Sequence, residues 1–438
     1  MRRAFAVALV LVTAGCALFA PAPPDAERLG DWQHRTVSLR ELEFTRPVEM
    51  RWVSRKELPA VLKDEAAEEL EPARVTRQRD SLAALGALSP DVDLAKELIE
   101  VYSSEVSGLY SVKRNTLFVL DELGGLLESA LLDPIVVHEL THALQDQNFP
   151  RLFELLVELD DQNDLTTALS SVIEGDASVT MLGALPGERA QHSVSFAELM
   201  RDQLLGQLDD PDSDVGRAPR LVGLSLVFPY AYGTVAAAHR YVREGNAGLD
   251  AALLDPPLAS LHVLYPETRG SVDFVRLPLE SLAATGGCTL DQDNVAGALV
   301  LQVLFEPGRD PAAVRALLEG WRGDRYVRLE CGEKWELVWL TRWESLDAAE
   351  RFADAYRALT PAIAAQTKLS GPAAVVVRDR TALVVTPGLR PRADELLRGA
   401  EIRSFANLES WVASGCFPEA ECPTKEKSPT RVAGPESP

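Results

Sequence analysis

The stretch His138-Glu139-Leu140-Thr141-His142 sets two histidines four residues apart with a glutamate beside the first. On a helix, positions four apart share a face, so both imidazoles can offer a ring nitrogen to one ion, while Glu139 falls a little to the side. This is the pattern of a zinc site, with His138 and His142 as ligands and Glu139 near enough to take a proton from water without binding the metal. A catalytic zinc has three protein ligands and one open position, so a third ligand is owed. Glu174, in "LTTALSSVIEGDASVTMLGAL", is the candidate. Ser170, Ser171, Ala177 and Ser178 stand around it at helical spacings, and side chains this small let two helices approach closely enough for a carboxylate to reach the ion. The competing reading is two histidines and a glutamate on wet helix faces, which the apolar surroundings of all three disfavour.

Other polar groups could complete such a site. Metal-bound histidines pass their second N–H to an acceptor, and Asp146, one turn beyond His142, and Asp176, beside Glu174, are candidates; a solvated acid is the alternative for each. Hydrolysis of a carbonyl also needs a donor for the developing oxyanion. "FPYAYGTVAAAHRY" offers Tyr230, Tyr232 and His239, against the alternative of rings packed in a core. Asp210, Asp212 and Asp214 are spaced like the start of a calcium loop, but Leu221 stands where the closing glutamate belongs, so a solvated acidic loop is expected.

The elements that must position these residues are legible. Asp133 and Pro134 can open a helix and Asn148 and Pro150 can stop it, giving a motif helix over 134–147. A second helix is expected over 165–182, around Glu174. In front of them "GLYSV" and "TLFVL", joined by Lys113-Arg114-Asn115, read as a β-hairpin over 108–112 and 116–120. The fold class is α+β. A mainly helical metal-binding domain with this hairpin covers 46–285, and a smaller α+β domain, rich in strand-like runs such as "RYVRLEC", "WELVWLTRW" and "AAVVVRDRTALVVTP", covers 286–415. Residues 16–45 read as a Pro-rich, charged spacer and 416–438 as a disordered tail.

The N-terminal "MRRAFAVALVLVTAGC" reads as an export signal over residues 1–15, followed by Cys16 as a lipidation site. The expected location is the cell envelope, with the chain tethered to a membrane by an N-terminal lipid and facing the periplasm or exterior. Of five cysteines, Cys288, Cys331, Cys416 and Cys422 remain after Cys16, an even number in a compartment that permits disulfides. Four allow three pairings; Cys288 with Cys331 and Cys416 with Cys422 is favoured over free buried thiols. The formal charge of −22 repels phosphate backbones, and no basic run carries interleaved aromatics, so nucleic acid is excluded as a partner.

"HELTHALQDQ" followed by "IEGDAS" resembles the gluzincin branch of zinc metallopeptidases, in which His-Glu-x-x-His is completed by a downstream glutamate. That resemblance implies a zincin-like fold and one catalytic Zn2+ held by His138, His142 and Glu174. It also implies Glu139 as general base and proton shuttle, a peptide or protein substrate, and strand 116–120 as the cleft edge along which the substrate lies. "GLYSVKRNTLFVLDEL", "FPYAYG" and "GWRGDRYV…LVWLTRWES" further resemble blocks of a group of bacterial exported gluzincin-like proteins. One block departs: where Ser-Thr-Glu-Gln followed by Leu-His-Pro is expected, this chain has "LASLHVLYPE", with Leu261, His262 and Tyr265 in the polar positions. The departure motivates an alternative, a catalytically inactive zinc-containing envelope lipoprotein acting as a binding or structural module.

Overall fold

The computed structural model describes residues 26–124, 129–159, 161–185, 190–279, 282 and 287–418. The expected signal, Cys16, Cys422 and nearly all of the tail therefore lie outside the described residues. The fold is mixed α+β, with helix outweighing strand.

The hairpin forms where expected, as β2 (Gly108–Ser111) and β3 (Thr116–Leu120), and every residue of both strands is buried. Asn115 closes its turn at φ 49°, a left-handed conformation that Asn tolerates better than most residues. A further strand, β1 (Glu49–Val53), pairs in parallel with β3, so the sheet order is β1-β3-β2. This corrects the resemblance on one point: β3 is the middle strand, and the free edge beside the site belongs to β2.

Three helices build the site. α2 (Ser129–Asn148) carries the motif and begins a turn earlier than expected, with Pro134 inside it. Asp133 is not its cap; its carboxylate accepts a hydrogen bond from Trp32 Nε1 at 2.8 Å. That tryptophan belongs to α1 (Ala26–Arg40), which overturns the spacer reading of residues 26–40. Trp32, Thr36 and Arg40, four apart, are all buried. α3 (Asn163–Ala184) carries Glu174, and α4 (Arg220–Glu244) lies across it. The crossing is tight: a Cβ at Gly175 would stand 2.3 Å from Gly233 O, and one at Gly233 would stand 2.1 Å from Ser171 O. By length and composition α4 could cross a bilayer, but 78% of its most apolar window is buried in the fold, so its apolarity serves the core.

Beyond residue 287 a five-stranded antiparallel sheet has the order β5-β6-β7-β9-β8, from β5 (Cys288–Asn294), β6 (Trp321–Cys331), β7 (Lys334–Trp343), β8 (Ala374–Arg378) and β9 (Thr381–Val385). α5 (Gly297–Phe305) and the amphipathic α6 (Leu346–Arg357) belong to this half. The division near residue 285 does not separate two cores. β4 (Val272–Arg276) pairs with β10 (Glu401–Phe405) across it, and one apolar cluster runs from Trp32 to Phe417. Two buried carboxylates hold the start of α5, and the first of them ties the halves together. Asp164 of α3 accepts from Ala298 N at 3.1 Å, and Asp324 of β6 accepts from Ala296 N and Gly297 N, each at 2.9 Å. The expected strand-like runs 325–331 and 335–343 fall within β6 and β7; β10 and the helix Leu408–Ala413 were not expected.

Cys288 and Cys331, opposite one another on β5 and β6, form a disulfide. Cys416 is also disulfide-bonded. Cys416 and Phe417 are buried, so the start of the expected tail is part of the core.

Candidate metal centre

α2 turns His138 and His142 the same way, and their Nε2 atoms stand 3.1 Å apart. α3 brings Glu174 Oε2 to 3.3 Å from His138 Nε2 and 3.4 Å from His142 Nε2. A tetrahedral ion with bonds of about 2.1 Å has donor atoms about 3.4 Å apart, so this triangle is the right size for one face of such an ion, and no fourth His, Cys, Asp or Glu ligand joins it among the described residues. His138, His142 and Glu174 therefore form a cluster able to hold a metal ion.

The site is deeply buried. His138, Glu139 and His142 have no exposed surface, and Glu174 has 5%. Burial holds the His138 imidazole below its ordinary pKa. Burial also disfavours charge on His142, but the carboxylates of Glu174 and Glu139 outweigh it and push that pKa up to about 9. Glu174 is held below the usual carboxylate range because the His142 charge and the hydrogen bonds of both histidines outweigh its burial. The carboxylate of Glu174, kept charged against two buried rings of which only His142 favours a proton, is a negative group that a bound cation would balance.

Glu139 is the opposite case: burial pushes its pKa well above the ordinary value. Its Oε2 accepts from Tyr110 N of the free edge of β2 at 2.8 Å, while its Oε1 is buried without a partner among the described residues. The close fit requires a glycine opposite, since a Cβ at Gly108 would stand 2.8 Å from Glu139 Cγ. The arrangement presents a proton acceptor, with one oxygen fixed and one free, beside the metal cluster.

The supporting shell differs from the sequence reading. Asp146 does not serve either histidine; it accepts from Tyr110 OH at 2.9 Å and pairs with Arg46. Gln145, which the sequence did not flag, takes that place, with its Oε1 2.8 Å from His142 Nδ1. Gln145 Nε2 in turn donates to Asp176 Oδ2 at 2.7 Å and Ile173 O at 2.9 Å. Asp176 thus acts on His142 through Gln145, and its other oxygen forms an ion pair with Arg40 Nε of α1 at 2.7 Å. His138 Nδ1 is buried with no partner among the described residues.

A cavity of about 150 Å³ adjoins the cluster and is lined by Glu174, Tyr230, Tyr102, Thr167, Ser170 and Ser225 among others. Tyr230 is placed here, its ring 6.2 Å from that of His138. Tyr102, on the helix Leu94–Glu105, was not foreseen; burial and then the charges of Glu174 and Glu69 push its phenol up to about 12, which keeps it a hydrogen-bond donor. Tyr232 packs on Phe228 and does not line this cavity. His239 is exposed and lines a different one, so it cannot serve as the oxyanion donor in this structure. The acidic loop is solvated as expected: Asp210 accepts from Asp212 N and Asp214 pairs with Arg217.

Fold and site together define an α+β protein with a buried His-His-Glu cluster able to hold a metal ion and a carboxylate, Glu139, beside it. Among known families, one described as a domain of unknown function (DUF8575) matches residues 288–396, the sheet-bearing half rather than the metal helices. No curated protein and no solved structure matches the chain.

Proposed function

We propose that this protein is a zincin-like metallopeptidase of the gluzincin type, which hydrolyses peptide bonds with one Zn2+, after export and while tethered to a membrane by lipid on Cys16. The observation that carries the reading is the convergence of His138, His142 and Glu174, donor atoms within 4.8 Å of one another, beside the buried Glu139. His138, His142 and Glu174 would hold the ion, which when bound polarises a carbonyl and lowers the pKa of water. Glu139, oriented by Tyr110 N–H, takes a proton from water through its free Oε1 and delivers it to the leaving amine; its raised pKa suits a group that must hold that proton in passing. Tyr230 and Tyr102 are the donors that line the adjacent cavity and supply hydrogen bonds to the developing oxyanion.

The test pairs two measurements on the mature chain. Glu139→Gln should keep one zinc per chain and lose peptide cleavage by about 10²–10⁴-fold, and Glu174→Ala should lose most of the zinc. Cleavage undiminished in Glu139→Gln removes Glu139 from its role. The second reading, a zinc-containing envelope lipoprotein that binds without turnover, is favoured by the complete burial of His138, Glu139 and His142. It predicts zinc in the parent protein with no cleavage of any peptide in a diverse library.

A further inference from the structure

Two histidines singled out in the sequence, His239 and His262, do not reach the metal cluster but meet in a second cavity, of about 560 Å³. It lies on the other side of α3: Glu174 faces the metal, whereas Asp176, roughly 200° further round the helix, faces this cavity. His262 comes from the block "LASLHVLYPE" that departs from the expected pattern. Three guanidinium groups, of Arg240, Arg243 and Arg269, share the lining with them.

The charge there is unbalanced. Asp176 is already engaged by Arg40, and Glu267, the other acid of the lining, by Arg315. Arg243 and Arg269 lean on Glu244 at 3.2 Å and Asp255 at 3.5 Å, both half-exposed acids. Arg240, half-buried on α4, makes no ion pair or hydrogen bond among the described residues. Burial and the repulsion of Arg269 and Arg243 lower its pKa against the weaker opposing pull of Glu244 and Asp255, so the nearby acids do not offset the crowding of cations there. The same lining includes the apolar side chains of Val172, Leu249 and Val263. The volume is that of a small-molecule site.

We propose that this cavity binds a small organic anion, its phosphate or carboxylate group held by Arg240 and Arg269 and its apolar body against Val172, Leu249 and Val263. A guanidinium presents a planar fork of donors that matches both head groups. On a chain of net charge −22, an anion finds few other places where it is not repelled. The site is separate from the metal cluster and does not depend on the peptidase reading.

The experiment is a calorimetric titration of the full mature chain, freed of metal by chelation, with phenyl phosphate, benzoate, inorganic phosphate and phenol. Phenyl phosphate or benzoate should bind about tenfold or more tighter than inorganic phosphate and phenol, because only they carry both parts. Arg240→Gln combined with Arg269→Gln should weaken that binding about tenfold or more without lowering the melting temperature by more than a few degrees. Should that pair misfold, Ala236→Leu, which fills the apolar wall and spares the arginines, should give the same loss. His138→Ala should bind as the parent does. The proposal is overturned if no probe binds at millimolar concentration, if the arginine and Ala236 variants bind as the parent does, or if His138→Ala abolishes binding and so places the anion at the metal cluster.

Discussion

Gln145 decides how His142 is presented. Its carbonyl fixes one ring nitrogen and its amide is fixed by Asp176, so the other nitrogen is aimed at Glu174. Gln145→Leu, similar in size, should leave the helix intact and weaken zinc binding about 10–100-fold, read by competition with a chromogenic chelator. Arg40 secures the same chain from outside: it is fully buried and contacts both Asp176 and Asp250. Replacing it by Met strands Asp176 without its charge partner, so we expect a loss of roughly 3–5 kcal/mol in unfolding free energy by denaturant titration. The ligands were legible in the sequence because histidines are rare in it and their spacing is helical. Gln145 and Tyr102 were not, because an amide or a phenol in a helix carries no signal until the fold sets it beside Asp176 or Glu174.

The crossing of α3 and α4 carries Glu174 to the histidines. Gly175 and Gly233 make that crossing possible, since either Cβ would collide with the backbone of the other helix. An exposed helical Gly→Ala stabilises by about 1 kcal/mol. Gly233→Ala should instead destabilise, by roughly 1–3 kcal/mol, and should lower zinc content as α3 shifts; urea unfolding with metal analysis reads both. The hairpin and the two metal helices could be read from alternation, turn residues and helix-end signals. α1 could not: its buried stripe of Trp32, Thr36 and Arg40 contains two polar side chains, so no apolar periodicity betrays it. β1 was missed for a related reason, since three of its five residues, Glu49, Arg51 and Val53, offer only one apolar side chain on their shared face.

At the scale of the molecule, the expected boundary near 285 falls where the matched family model begins, at residue 288, yet the pairing of β4 with β10 and the carboxylate of Asp164 cross it, so the two halves share a core. His262 reports on this shared body. Burial, then the charges of Arg269 and Arg322, depress its pKa from 6.5 to about 4. Between those values the unfolded chain binds more protons than the folded one, so this contribution is complete above pH 6.5 and is lost as pH falls toward 4. His262→Gln should shrink the difference in unfolding free energy between neutral pH and pH 4 by on the order of 3 kcal/mol, measured by urea titration at each pH. The replacement of the spacer by a packed helix from Ala26 has a consequence for reach. If Cys16 carries the lipid, only ten residues lead to α1, and a fully extended chain of that length spans about 35 Å. The protein would then be leashed close against its membrane, working on whatever lies at the lipid surface and never sweeping the full width of the envelope.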